Sequence, residues 1–144
     1  MQQSKGLLRF FRFIVLVLLG FSAGNTLAGE LLPFRSDGCS MFPDGSRAKE
    51  TLWLSCCRDH DLSYWRGGTL SQRRAADDAL QQCVASKDSP QLAKLMWMGV
   101  SVGGAPWLPT PFRWGYGWPY PRGYRALSAE EEAQVARMLF IQGQ

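Results

Sequence analysis

The chain has 144 residues, 46% of them apolar and 19% charged, which is the make-up of one folding domain and excludes a disordered tail. Its formal charge of +4 invites a nucleic-acid reading, but three of the basic groups, Lys5, Arg9 and Arg12, lie in the first 28 residues, which hold no acid. The remaining 116 residues carry 13 basic and 12 acidic groups, net +1, so a phosphate-tracking surface and a nucleic-acid partner are not indicated.

Residues 1–28 have the order of a secretory signal: a basic start, an apolar run from Phe13 to Phe21 broken only by Gly20, then small residues. That run is far short of the about 20 residues of a bilayer span. Cleavage is expected after Ala28, with Ala23 and Gly24 as alternatives, leaving a domain over 29–144. The four cysteines, Cys39, Cys56, Cys57 and Cys83, all fall within it, an even number in a small chain entering an oxidising compartment. Cys56 and Cys57 are neighbours, and a bridge between them would be badly strained. Each must therefore reach Cys39 or Cys83, and the adjacency leaves both pairings open.

From residue 29 to 49 the chain is rich in Gly, Pro, Ser and Asp and reads as an ordered loop held by turns. Residues 49–65 lack Gly and Pro and predict a first helix, stopped by Gly67-Gly68. A second helix is expected from Ser71 to about Ser86, with Ser71 or Thr69 as its N-cap. A short apolar helix follows over 91–102, ended by Gly103-Gly104. Residues 105–124 hold five prolines and seven aromatics, a spacing that predicts an aromatic-rich long loop. Ser128 and Glu131 have capping-box spacing, so a last helix should start there and run to about Phe140. The whole is mainly α.

His60 is the only histidine, in the run Cys56-Cys57-Arg58-Asp59-His60-Asp61-Leu62-Ser63-Tyr64. At about 100° per residue, Tyr64 lies near 40° from His60, Cys57 near 60°, Asp61 near 100° and Cys56 near −40°. His60 is thus on the buried face between two cysteines, with Asp61 beside Cys57. The loop around Cys39 carries Asp37 and several turn carbonyls, which suit a hard cation that takes oxygen ligands. The segment around Cys83 carries Asp77 and Asp78. On the second helix the apolar arc centres near 10–20° from Ala76, so Asp77 at about 100° lies at its edge, while Asp78 at about 200° points to solvent.

The run Cys-Cys-x-x-His-Asp-x-x-Tyr resembles the active-site helix of secreted phospholipases A2. Asp37-Gly38-Cys39-Ser40 is similar to the calcium loop of their prokaryotic branch, and Ala76-Asp77-Asp78-Ala79-Leu80 to its second helix. The three motifs stand in the family's order and span residues 37–83. This resemblance implies a mainly α, phospholipase A2-like fold, with two antiparallel disulfide-linked helices and a calcium-binding loop. It implies the bridges Cys39–Cys57 and Cys56–Cys83, with which the helix angles agree. It further implies hydrolysis of the sn-2 acyl ester of glycerophospholipids, with a membrane surface as partner. His60 would be the general base, Asp77 its orienting carboxylate and Tyr64 a support for that carboxylate. Ca²⁺ would be held by Asp61, Asp37 and loop carbonyls such as Gly38. The animal enzymes' Gly-rich calcium loop is missing, and Ser63 replaces a helix cysteine of theirs.

Other readings compete. A lone helical histidine is usually structural, but the acidic neighbour, cysteine doublet and loop favour catalysis here. Zinc bound by Cys39, Cys56, Cys57 and His60 has suitable ligand types, yet export favours disulfides. A catalytically silent lipid- or protein-binding module is one functional rival; an envelope protein anchored by an uncleaved segment 7–21 is another. The aromatic tract fits lipid headgroups, sugars, or simple packing across the helices. Location is expected to be the bacterial periplasm or outside the cell, with membrane association.

Overall fold

A computed structural model describes residues 29–87 and 89–144. The expected leader, its cleavage site and the anchor segment of the rival reading lie outside these residues. Four helices form among the described residues: α1 (Leu54–Arg66), α2 (Leu70–Ser86), α3 (Pro90–Gly103) and α4 (Ala129–Gln142). The fold is mainly α, with two disulfides and no named strand among the described residues. None of these helices is long and apolar enough to cross a membrane.

Local chemistry explains most boundaries. Thr69 caps α2 in a reciprocal capping box with Gln72, which selects Thr69 over Ser71 as the cap. Ser128 and Glu131 form the same device on α4. Gly67 ends α1 at φ 72°, a backbone state that favours glycine. The start of α1 departs from expectation: Lys49 pairs with Ser46 in an isolated bridge and residues 50–53 are turns, not helix. Trp53 is tied back onto the preceding loop, its N–H to the Asp44 carbonyl (3.0 Å) and its indole to the Pro43 carbonyl (2.6 Å). Those bonds compete with the i→i−4 ladder and hold the helix start at Leu54.

Cys56–Cys83, His60–Asp77 and Tyr64–Arg73 pair residues that ascend on α1 and descend on α2, so the two helices are antiparallel. α3 folds back on α2, and both disulfides lie in a core with Trp53, Leu80, Val84, Ala93 and Met96. Burial of Leu80, Val84 and Met96 stabilises by about 1.5–3 kcal/mol each.

The aromatic tract is irregular but firmly seated. Its Gly115 and Gly117 amides donate to the Tyr64 and Trp65 carbonyls, and the Trp118 indole donates to the Arg66 carbonyl (2.7 Å). The open carbonyls at the end of α1 are thereby satisfied by the tract. Trp114 and Trp118 are buried, whereas Trp107, Tyr120 and Phe112 are exposed. Packing across the helices is therefore the role of Trp114 and Trp118, with Tyr116 and Tyr124 partly buried beside them, and not of the whole tract.

Candidate active site

α1 and α2 place their functional side chains face to face. His60 Nε2 lies 3.0 Å from Asp77 Oδ1, and the Tyr64 hydroxyl donates to the same oxygen at 2.7 Å. All three residues are buried, at 8%, 3% and 2% exposure for His60, Asp77 and Tyr64. An ionised carboxylate only accepts, so the ring proton of neutral His60 belongs on Nε2 and Nδ1 is left with its lone pair. Nδ1 has no protein partner among the described residues and is not sealed from solvent. The His60 and Tyr64 rings stack at 4.2 Å between centroids, which fixes the imidazole plane. Burial, then Asp77's charge, pushes the Tyr64 phenol up from its usual range, keeping it a proton donor.

His60 opens onto a cleft of about 450 Å³ whose walls include Met41, Phe42, Leu80, Met96 and Val100, joined by Gly99, Gly103 and Gly104. These walls are almost wholly apolar, and the size suits a small-molecule substrate or an acyl chain. A second cleft of about 730 Å³ lies between residues 32–37 and the aromatic tract, lined in part by Arg35, Thr110, Arg113 and Tyr116. Asp61 and Phe112 line both clefts.

The expected cation ligands lie at that junction. Asp61 is half-buried and accepts from Ser36 Oγ at 2.6 Å; burial pushes its carboxyl up to about 6, against the Ser36 bond and the nearby His60. Asp37 is exposed and accepts from Ser40 Oγ at 2.9 Å. Gly38, at φ 79°, sits against Asp44, whose carboxylate takes the Cys39 amide at 2.9 Å and braces the loop. No Lys or Arg pairs with Asp37 or Asp61 among the described residues. Nor do three or more His, Cys, Asp or Glu side chains converge there as a metal group. The available set is two unneutralised carboxylates with main-chain oxygens, which fits a hard cation only if carbonyls or water complete it. Cys39–Cys57 and Cys56–Cys83 close all four thiols, so the zinc alternative has no thiolate left.

No protein-family model, curated protein or solved structure matches this chain.

Two features escaped the sequence reading. Asp78, expected to face open solvent, is exposed but accepts from the Trp97 indole at 2.9 Å. Arg73 is buried beside the dyad and donates to Tyr64, Tyr124 and two carbonyls of α3. Its signal was present: one turn before Asp77, it lies about 60° from Ala76, closer to the centre of the apolar arc than Asp77 itself.

Proposed function

We propose that this chain is a calcium-dependent, phospholipase A2-like hydrolase that cleaves the sn-2 acyl ester of glycerophospholipids at a membrane surface, outside the cytoplasm. One observation carries the reading: a buried His60–Asp77–Tyr64 chain whose histidine, with Nδ1 free of protein partners among the described residues, lines an apolar cleft.

The roles follow from the residues. Nδ1 of His60 accepts the proton of an attacking water and returns it to the departing alkoxide. Asp77 holds the Nε2–H and stabilises the imidazolium that forms. Tyr64 keeps the Asp77 carboxylate oriented toward the ring. The walls of Met41, Phe42, Leu80, Met96 and Val100 take the acyl chain and exclude bulk water, while the more polar second cleft beyond Asp61 takes the headgroup side. Asp61, Asp37 and loop carbonyls such as Gly38 would hold the cation. When bound, Ca²⁺ supplies positive charge for the substrate phosphate and for the oxyanion that develops on the ester. Two disulfides support export into an oxidising compartment, the bacterial periplasm or beyond.

The test uses a phospholipid with different chains at the two positions. The purified protein should release the sn-2 acid and leave the 1-acyl lysophospholipid in calcium, and release neither in chelator. Vesicle binding with no product, at any calcium level, would instead identify a silent lipid-binding module.

A further inference from the structure

Arg73 is 6% exposed, and no ligand-facing role accounts for it. Its Nε donates to the Tyr64 oxygen at 3.1 Å and stands 3.7 Å from Asp77 Oδ2. Nη1 donates to the Tyr124 hydroxyl, and Nη2 to the carbonyls of Val100 (2.8 Å) and Ser101 (2.7 Å). Thus α1, α2, α3 and the last residue of the aromatic tract all converge on one guanidinium. It is the only Lys or Arg within ion-pair reach of Asp77 among the described residues.

A guanidinium has donors and no acceptor. The Tyr64 oxygen therefore accepts a hydrogen bond from Arg73, and its own O–H must point to another acceptor. Asp77 Oδ1 is 2.7 Å away, while the Val100 carbonyl is at 3.4 Å and already engaged by Arg73. The phenol is thus aimed at Asp77, and Asp77 Oδ1 faces two donors, Tyr64 and His60. We infer that Arg73 is a positioning residue that sets the direction of the chain Arg73→Tyr64→Asp77←His60 and so holds the ring proton of His60 on Nε2. The catalytic meaning of this role rests on the proposed hydrolase function, because there a bare Nδ1 is the base. The tautomer itself is measurable with no substrate present.

Without the guanidinium, the Val100 carbonyl is freed to draw the phenol away, and Asp77 is a buried carboxylate with no cation. With the phenol gone, the Asp77 carboxylate is no longer held toward the ring, and the proton of the neutral imidazole divides between Nε2 and Nδ1, the wrong end for a base.

The experiment compares the parent with Arg73→Gln and Arg73→Lys by ¹⁵N NMR of the histidine ring at about pH 8, where an ordinary imidazole is neutral. The parent is expected to show Nε2 protonated and Nδ1 bare; Arg73→Gln should gain Nδ1–H signal. Its kcat on a monomeric short-chain lipid should fall about 10- to 100-fold with KM within about twofold. Arg73→Lys, which keeps charge but not the fork, should fall between the two. A folded Arg73→Gln with the parent's tautomer and kcat overturns the inference, as does parent behaviour in Arg73→Lys if the Gln variant does not fold. If the parent hydrolyses no lipid, the hydrolase reading fails while the NMR comparison still decides the role of Arg73.

Discussion

Gly104 offers a way to disturb the dyad without removing any member of it. It follows α3 at φ −89°, a conformation alanine adopts freely, so the backbone would tolerate Gly104→Ala. The added Cβ, however, would lie inside contact distance of Tyr64 Cε1 and Oη. Tyr64 has nowhere to retreat: Trp114 packs edge-on to it at 5.1 Å between centroids, and His60 covers another side at 4.2 Å. Overpacking of this kind costs about 1–3 kcal/mol. Displacing the phenol from Asp77 forfeits a hydrogen bond to a charged group, about 1.5–3 kcal/mol. Partial relaxation brings the expected loss to about 3 kcal/mol, read as a lower urea midpoint by tryptophan fluorescence. Initial rates of fatty-acid release, normalised to folded protein, should fall about tenfold, since Asp77 loses one of its two anchors on Oδ1. Gly103→Ala is the control, because nothing lies within 4 Å of its added Cβ. It should stay within about 0.5 kcal/mol of the parent. If Gly104→Ala unfolds with the parent and turns over at the parent's rate, Tyr64 does not hold Asp77 in the working site.

Further expectations concern the dyad, the α4 cap and the disulfides. Asp77→Asn should lower turnover by orders of magnitude, at most matching His60→Asn, whereas Asp78→Asn, which keeps an acceptor for Trp97, should cost little; near-parent rates for Asp77→Asn would remove the carboxylate from the mechanism. Glu131 is fully buried against Arg122 and Arg125, and Arg122 holds its carboxyl below the usual range although burial opposes this. A depressed acid contributes stability that is complete above the ordinary glutamate value and fades as pH falls through the folded value. Glu131→Gln should therefore cost about 3–5 kcal/mol in urea at neutral pH, because Arg122 keeps a side chain only 2% exposed, and the gap from the parent should narrow toward about pH 3. The double change Cys56→Ser, Cys83→Ser opens a loop with a sequence separation of 27 and should cost about 3.5 kcal/mol, with Cys39–Cys57 still recovered by non-reducing peptide mapping.

What the sequence carried, and what it did not, divides along physical lines. Signals confined to a few neighbouring residues were readable: the Ser128–Glu131 box, the Gly67 stop, and the helix angles that put Asp77 rather than Asp78 against His60. The disulfide pairing was readable through the family resemblance. Interactions that join distant segments were not. Nothing local announces that Trp53 will bind the Pro43 and Asp44 carbonyls, so the pattern that predicts a helix from residue 49 overruns its true start at Leu54. The helix angle of Arg73 places it by the apolar arc, but nothing local names Val100, Ser101 and Tyr124, which close around it from 27 to 51 positions away. Glu131 reads as a cap residue, and its second role appears only when Arg122 and Arg125 fold onto it. The tract from 105 to 124 offers composition but no period, so which tryptophans face inward was decided by the open carbonyls at the end of α1.

His60 is proposed as the base of a calcium-dependent ester hydrolysis. The most direct test is the initial rate of sn-2 fatty-acid release from phospholipid vesicles, measured for the parent and for His60→Asn across a calcium titration that begins in chelator. The expected result is a parent rate that rises from background to saturation with calcium, and a His60→Asn rate that stays near background throughout. Release that is independent of calcium, or that survives His60→Asn at the parent's rate, would contradict it.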